Sequence, residues 1–296
     1  MAIRVDSNFP LPAFRKARLV KYLTLSTLLL TVTTIATADG PSDNLADSVR
    51  PIPPVGMEIS AQQSDQLTTR CQQIRRAWKD LLSESDAKAN SAKQWQKSNF
   101  ERQAQILKDL TPEILVFPRA VELALEFRQF YKERDFEAAV RLLDESNRRI
   151  EIARQEPTWR DIVGIDDGKD QQLVIGGYQS KIDQSYQPYA LVIPPGLTHG
   201  DSRPRRLDIW FHGRGETLSE VSFLSKGQTS PGQYTPSDTI VLHPYGRYSN
   251  AFKFAGEIDV LEALDHVSTH LPIDDSKISA RGFSMGGAAC WQFATH

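Results

Sequence analysis

The residues best suited to chemistry lie in the last third of the 296-residue chain. Ser284 sits in Arg281-Gly282-Phe283-Ser284-Met285-Gly286-Gly287, with a glycine two positions away on either side. A nucleophilic serine must project into a cleft from a sharp strand-to-helix turn, and that turn leaves no space for side chains beside it. Gly282 and Gly286 remove the Cβ atoms that would clash, and Gly287, Ala288 and Ala289 let the following helix pack closely on the sheet. The corresponding chemistry is acyl transfer, whose tetrahedral intermediate carries an oxyanion that backbone N–H groups stabilise. The Met285 N–H is one expected donor. The other is expected from His212-Gly213-Arg214-Gly215-Glu216, a glycine-rich loop leaving a buried strand. Met285, Gly213, Arg214 and Gly215 are therefore the candidate oxyanion hole. His212 can be read as the catalytic base or as a brace for this loop. The chain order serine, then acid, then histidine favours the brace.

The elements that must position these residues are legible around them. Lys277 to Phe283 reads as a strand entered through the polar turn Asp274-Asp275-Ser276, and Met285 to Thr295 as an apolar helix, so Ser284 falls in the strand–turn–helix context that its chemistry requires. Upstream, Leu173–Tyr178 and Tyr189–Ile193 read as an antiparallel pair joined by a turn at Asp183-Gln184-Ser185. Arg206–Phe211 and Asp238–Leu242 read as further strands, Leu218–Leu224 has helical tendency, and residues 256–270 read as a helix presenting Ile258, Leu261, Leu264 and Val267 on one face. Strands alternating with helices predict a mainly parallel sheet. The loop His243–Asn250 leaves the carboxyl end of a strand, where ligands of open α/β sheets bind. Tyr245, Arg247 and Tyr248 are candidate substrate contacts there, with ordinary loop packing as the alternative reading.

Taken together, Trp210-Phe211-His212-Gly213-Arg214-Gly215, Leu242-His243-Pro244-Tyr245-Gly246-Arg247 and Gly282-Phe283-Ser284-Met285-Gly286-Gly287 resemble the α/β-hydrolase superfamily, and within it secreted bacterial serine hydrolases of the prolyl-oligopeptidase and esterase type. Gly256-Glu257-Ile258-Asp259-Val260 is similar to the helix start that precedes the elbow strand in such enzymes. The resemblance covers residues 170–296 and implies the first half of a catalytic domain. It also implies hydrolysis of an ester or peptide bond through an acyl-enzyme on Ser284. In this superfamily the acid and the histidine follow the serine. Here no Asp or Glu follows Ser284, and the one later histidine is His296, on the elbow helix. The chain thus reads as truncated after the elbow, with the acid and histidine beyond it. Two alternatives stand beside this: a partner chain that completes the site, and a catalytically inactive binding or structural protein of the cell envelope with a hydrolase fold.

The rest of the chain sets the frame. Hydrophobic residues make up 40% and charged residues 24%, as in an ordinary globular protein, and a net charge of −2 gives no electrostatic case for nucleic acid as a partner. Residues 1–38 read as a signal peptide, with a basic lead (Arg4, Arg15, Lys16, Arg18, Lys21), an apolar stretch from Tyr22 to Ile35, and Ala36-Thr37-Ala38 as a cleavage signal. An exported protein follows, with a membrane partner only if the signal is retained as an anchor. Residues 39–57 read as a linker. Residues 58–156 read as a helical cap region, with helices over Gln66–Leu82, over Gln94–Leu110, from Pro118 to Tyr131, and from an Asp135 cap to about Arg154. A lid or substrate filter is one role for it. The two cysteines, Cys71 and Cys290, are expected as separate thiols. His266 and His270 stand at i and i+4 without the Glu of a zincin motif, and no third ligand is evident in the sequence, so no metal or cofactor is expected.

Overall fold

The computed structural model describes residues 52–168, 170–198 and 200–295. The signal peptide, most of the linker, and His199 and His296 lie outside the described residues. Five helices come first: α1 (Ala61–Ser91), α2 (Gln94–Asp109), α3 (Thr111–Glu126), α4 (Glu133–Ala153) and the short α5 (Trp159–Val163). Then follow β1 (Gln172–Gln179), β2 (Tyr186–Ile193), β3 (Arg205–Phe211), α6 (Glu220–Thr229), β4 (Thr239–Pro244), α7 (Ala255–His270), β5 (Ile273–Gly282) and α8 (Met285–Thr295). Among the described residues no helix is long and apolar enough to cross a membrane.

The strands form one five-stranded sheet in the order β1-β2-β4-β3-β5. β2 is antiparallel to both β1 and β4, whereas β3 is parallel to β4 and to β5. This is the expected α/β fold, a mixed sheet with an antiparallel start (β1, β2) and a parallel β4-β3-β5 portion, preceded by an all-helical region. At the β1–β2 turn, Gln184 takes a positive φ of 61° while the Asp183 carboxylate accepts from the Ser185 amide at 3.1 Å. An Asp side chain closing a turn on the amide two residues on is the reason such a sequence reverses the chain.

α3 is the hub of the helical region. Ten of its residues are buried, from Pro112 through Ala124, as befits a helix that is apolar nearly all round. The helix begins at Thr111-Pro112 and carries Pro118 in its interior, where the sequence suggested a start. Proline has no N–H, so the Ile114 carbonyl one turn earlier loses its helical donor. The Ser146 hydroxyl of α4 donates to that carbonyl at 2.8 Å. Asp135 does serve the start of α4, from inside the helix: its carboxylate accepts from the Tyr131 and Lys132 amides at 2.8 and 2.9 Å.

Helices and sheet share one continuous core. Buried charges fasten the two parts. Arg149, 1% exposed, donates to Glu145, to the Glu113 carbonyl and to the Ile175 carbonyl of β1. Arg119 of α3 pairs with Glu220 of α6 at 2.5 Å. In α7 the helix is where the sequence placed it, but its buried face is turned. Ile258 and Leu261 are 45% and 48% exposed, while Asp259 and Glu262 point inward. The inward acids are satisfied: Asp259 binds Arg247 at 2.7 Å, and Glu262 accepts from the Lys181 amide at 3.1 Å. Cys71 and Cys290 are free thiols, as expected, and burial pushes Cys71 up to about 12.

Candidate active site

Parallel pairing of β3 with β5 aligns Phe211 with Gly282, so the segments leaving both strands emerge side by side. One is the His212–Glu216 loop and the other is the turn at Ser284. β5 ends at Gly282 and α8 begins at Met285, as the motif required. Ser284 itself adopts φ +54°, a left-handed conformation that is rare for a residue with a side chain and is the mark of a strained elbow. It is exposed.

The two motif glycines are demanded by geometry. A Cβ on Gly282 would lie 2.4 Å from the backbone C and O of Gly286, and a Cβ on Gly286 would lie 2.1 Å from the Phe211 carbonyl oxygen. Gly287 differs from the expectation: a Cβ there would meet the Gly282 oxygen at 3.8 Å, an ordinary contact, so close packing of α8 does not require it. The turn is closed by the Gly286 amide donating to the Phe283 carbonyl at 2.8 Å and the Gly287 amide donating to the Ser284 carbonyl at 2.9 Å. Met285, the expected oxyanion donor, is the first residue of α8, where a backbone amide has no i−4 partner within the helix.

The opposing loop reaches the serine. A Cβ on Gly213 would stand 3.3 Å from the Phe283 ring and 3.7 Å from Ser284 Cβ. The Gly215 amide, however, donates to Ser249 Oγ at 3.0 Å, and that hydroxyl donates back to the Gly215 carbonyl at 3.1 Å. Gly215 is thereby a structural anchor of the loop. His212 is the brace that the order of residues suggested. Its Nδ1 lies 2.9 Å from the Gly213 carbonyl and its Nε2 lies 3.0 Å from the Tyr245 carbonyl, so both ring nitrogens face acceptors and neither is directed at Ser284.

The candidate substrate contacts on the 243–250 loop are corrected. Tyr245 is 5% exposed, and its hydroxyl donates to the Leu218 carbonyl at 3.0 Å. Arg247 is locked to Asp259, Asp183 and Ser180. Together these partners outweigh the opposing effect of burial and hold its guanidinium above the usual range. The Tyr248 hydroxyl donates to the Glu216 carbonyl at 2.7 Å. All three side chains tie loops together behind the site.

Sequence reasoning missed Asp208, a fully buried acid within an apolar strand. Arg281, the residue before Gly282, donates to it at 2.8 Å and lays its guanidinium over the Tyr234 ring at 5.1 Å. Burial acts to raise the Asp208 carboxyl, but Arg206, Tyr234 and Arg281 outweigh it and hold it below the usual carboxylate range. The end of the elbow strand is thus pinned to β3. The signal was the lone acid in Leu207-Asp208-Ile209. Also unforeseen is a cavity of about 290 Å³ beside the elbow, lined by Trp210, His212, Gly213, Phe223, His243 and Phe283 among others. None of its lining comes from the helical region, which packs instead on the β1–β2 half of the sheet, away from the β5 edge. His243 Nε2 is buried there without a hydrogen-bond partner among the described residues, and burial, with Lys226 and His212 adding, lowers the ring to about 4.

No known family model matches the sequence, and no curated protein does. Among solved structures the chain is similar to FphF, a fluorophosphonate-binding serine hydrolase of Staphylococcus aureus, at 17% identity over 40% of this chain and 49% of that one, with a TM-score of 0.31. It is similar to an S-formylglutathione hydrolase from Agrobacterium tumefaciens at 19% identity, over 43% of this chain and 54% of that one, TM-score 0.32. A thermostable esterase matches at 20% identity, over 41% of this chain and 37% of that one, TM-score 0.31. The chain spans about half the length of these structures or less.

What the arrangement can do is present an exposed hydroxyl on a strained turn, beside a glycine loop where an added Cβ would come into contact with it, next to a small pocket. Two further histidines, His266 and His270, are engaged with Glu113, Tyr189 and Trp159 on the helical side of α7. Among the described residues, then, no histidine is in place to take the Ser284 proton.

Proposed function

We propose that this protein is an exported serine hydrolase that cleaves an ester or peptide bond through an acyl-enzyme on Ser284. The observation that carries the reading is Ser284 at φ +54° between two glycines that have no room for a Cβ. A serine whose only task is packing has no need of that strain. In this reading the Met285 N–H and an N–H of the Gly213–Arg214 segment hold the oxyanion, and the cavity lined by Trp210, Phe223 and Phe283 takes a small acyl or side-chain group. The general base in this reading is neither His212, whose ring nitrogens both face backbone carbonyls, nor His243, which is buried with its Nε2 unpartnered among the described residues. Export is supported by the charge and apolar pattern of residues 1–38. The motifs shared with prolyl-oligopeptidase-type and esterase-type enzymes support both an ester and a peptide substrate.

The test uses the native product purified from its source. It should hydrolyse p-nitrophenyl acetate or a proline p-nitroanilide, and Ser284→Ala should lower the rate by about a thousandfold or more. Turnover retained in Ser284→Ala would overturn the assignment. The engagement of His212 by two backbone carbonyls, and of His266 and His270 by Glu113, Tyr189 and Trp159, favours one second reading, an inactive envelope binding protein. It predicts saturable ligand binding in the cavity with no turnover of either substrate.

A further inference from the structure

The helical region and the sheet meet at a cluster remote from Ser284. Glu113, in the first turn of α3, is fully buried. Facing it are His266 and His270 in the last turns of α7, whose i, i+4 spacing places both rings on one side of the helix. One ligand-capable atom from each of the three lies within 4.8 Å of the others.

We propose that Glu113, His266 and His270 bind a divalent transition-metal ion of the zinc class, clamping the helical region to the sheet. Two imidazoles and a carboxylate are the donor set that such ions prefer. The spacing fits. His266 Nε2 and Glu113 Oε1 are 3.3 Å apart, longer than a typical N–H···O bond of about 2.9 Å. It matches the edge of about 3.4 Å between two ligands that each stand about 2.1 Å from a tetrahedral ion. A second observation points the same way: Glu113 Oε2 is buried without a hydrogen-bond partner among the described residues.

The surroundings have the form of a supporting layer. Tyr189 OH lies 3.0 Å from His266 Nδ1, so it can accept the Nδ1 proton and leave Nε2 free to ligate. The Trp159 indole N–H donates to Glu113 Oε1 at 2.7 Å, and its ring stacks on His270 at 4.5 Å, fixing both groups. Water completes the coordination.

The probe is Co²⁺ titrated into the full chain after chelation and dialysis, read by visible ligand-field absorption and by equilibrium dialysis. One equivalent should bind with the bands of a four- or five-coordinate ion and be displaced by Zn²⁺. His270→Gln and Glu113→Gln should weaken binding by about a hundredfold or more, and Tyr189→Phe by about tenfold. Far-UV circular dichroism checks each variant. His270 is half-buried at the end of α7, so His270→Gln carries the test if Glu113→Gln does not fold. The proposal is overturned if the unmutated chain takes up no Co²⁺ saturably, or if uptake is the same in His270→Gln and the unmutated chain.

Discussion

Gly286 and Gly287 are neighbours at the start of α8, and the structure assigns opposite outcomes to the same substitution. A Cβ on Gly286 would stand 2.1 Å from Phe211 O, 2.6 Å from Phe211 C and 2.9 Å from His212 O. These are backbone atoms at the end of β3, held in place because Phe211 pairs with Gly282 of the elbow strand. Relief requires β3 and α8 to move apart by about 1 Å, since carbon and oxygen need roughly 3.2 Å. Overpacking of this kind costs about 1–3 kcal/mol, offset by up to about 1 kcal/mol from alanine's better helix propensity. A Cβ on Gly287 meets nothing nearer than Gly282 O at 3.8 Å, so Gly287→Ala keeps the propensity gain of about 0.5–1 kcal/mol. At about 2–4 °C per kcal/mol for a chain of this size, thermal unfolding should place Gly286→Ala several degrees below the unmutated chain and Gly287→Ala about 2 °C above it. A shift of about 1 Å between Ser284 and the Gly213 loop should also cut ester hydrolysis by about a hundredfold in Gly286→Ala, with little change in Gly287→Ala. Equal melting shifts for the two variants, or a Gly286→Ala protein as stable as the unmutated one, would refute the packing argument on which the elbow reading stands.

Three further outcomes follow from buried groups. Ser146→Ala should destabilise by about 1–2 kcal/mol in urea unfolding, because the Ile114 carbonyl that Pro118 leaves open is buried; in a Pro118→Ala background, where the helix regains its own donor, the loss should shrink. Arg119→Ala should cost about 3 kcal/mol at pH 7 by leaving Glu220 buried and unpaired. Burial already raises the Glu220 carboxyl, so the stability that its neutral form confers is present in acid and lost as pH rises, and unfolding measured at pH 5 should show a smaller penalty. For His243 the sign is reversed. Its folded-state pKa of about 4 lies below the ordinary 6.5, so the stability it confers is present above pH 6.5 and disappears as pH falls toward 4. That loss amounts to about 3 kcal/mol. His243→Leu should flatten the acid limb by that amount, and an unchanged limb would show that the ring is not buried in its neutral form.

Much of the fold could be read from the sequence because its signals are local. The strand runs, the Asp183–Ser185 turn and the helix after Ser284 each depend on a few adjacent residues and lie close to where the pattern placed them, except that β5 starts at Ile273 and carries the expected Asp274–Ser276 turn within it as an irregularity in its pairing with β3. Phase and boundaries failed where a distant partner decides. Pro118 resembles a helix start until a hydroxyl from α4 is seen to replace its missing donor. The face of α7 was assigned from Ile258 and Leu261 because acids ordinarily face water. Arg247 and the Lys181 amide reverse that preference by satisfying Asp259 and Glu262 inside.

The site divides along the same line. Ser284, its glycines and the His212 loop were legible because the constraint is short-range: a strained turn dictates its own neighbours. Tyr245 and Arg247 kept two readings in the sequence because an aromatic or a guanidinium on a loop at a strand's carboxyl end has two uses, and the positions of Leu218, Asp183 and Asp259 show the packing use. Glu113 is the extreme case. In the sequence it is an acid in the first turn of a helix, the position where the helix dipole welcomes a solvated carboxylate. In the fold it is fully buried, with Trp159 of α5 and His266 of α7 against its carboxylate, and His266 and His270 acquire a third donor by the same closure. A helix pair and a carboxylate far apart in the chain become a possible coordination set only through the sheet order that carries α7 back to the edge where the helical region packs. Metal uptake by the intact chain therefore tests the tertiary arrangement as directly as it tests the three ligands.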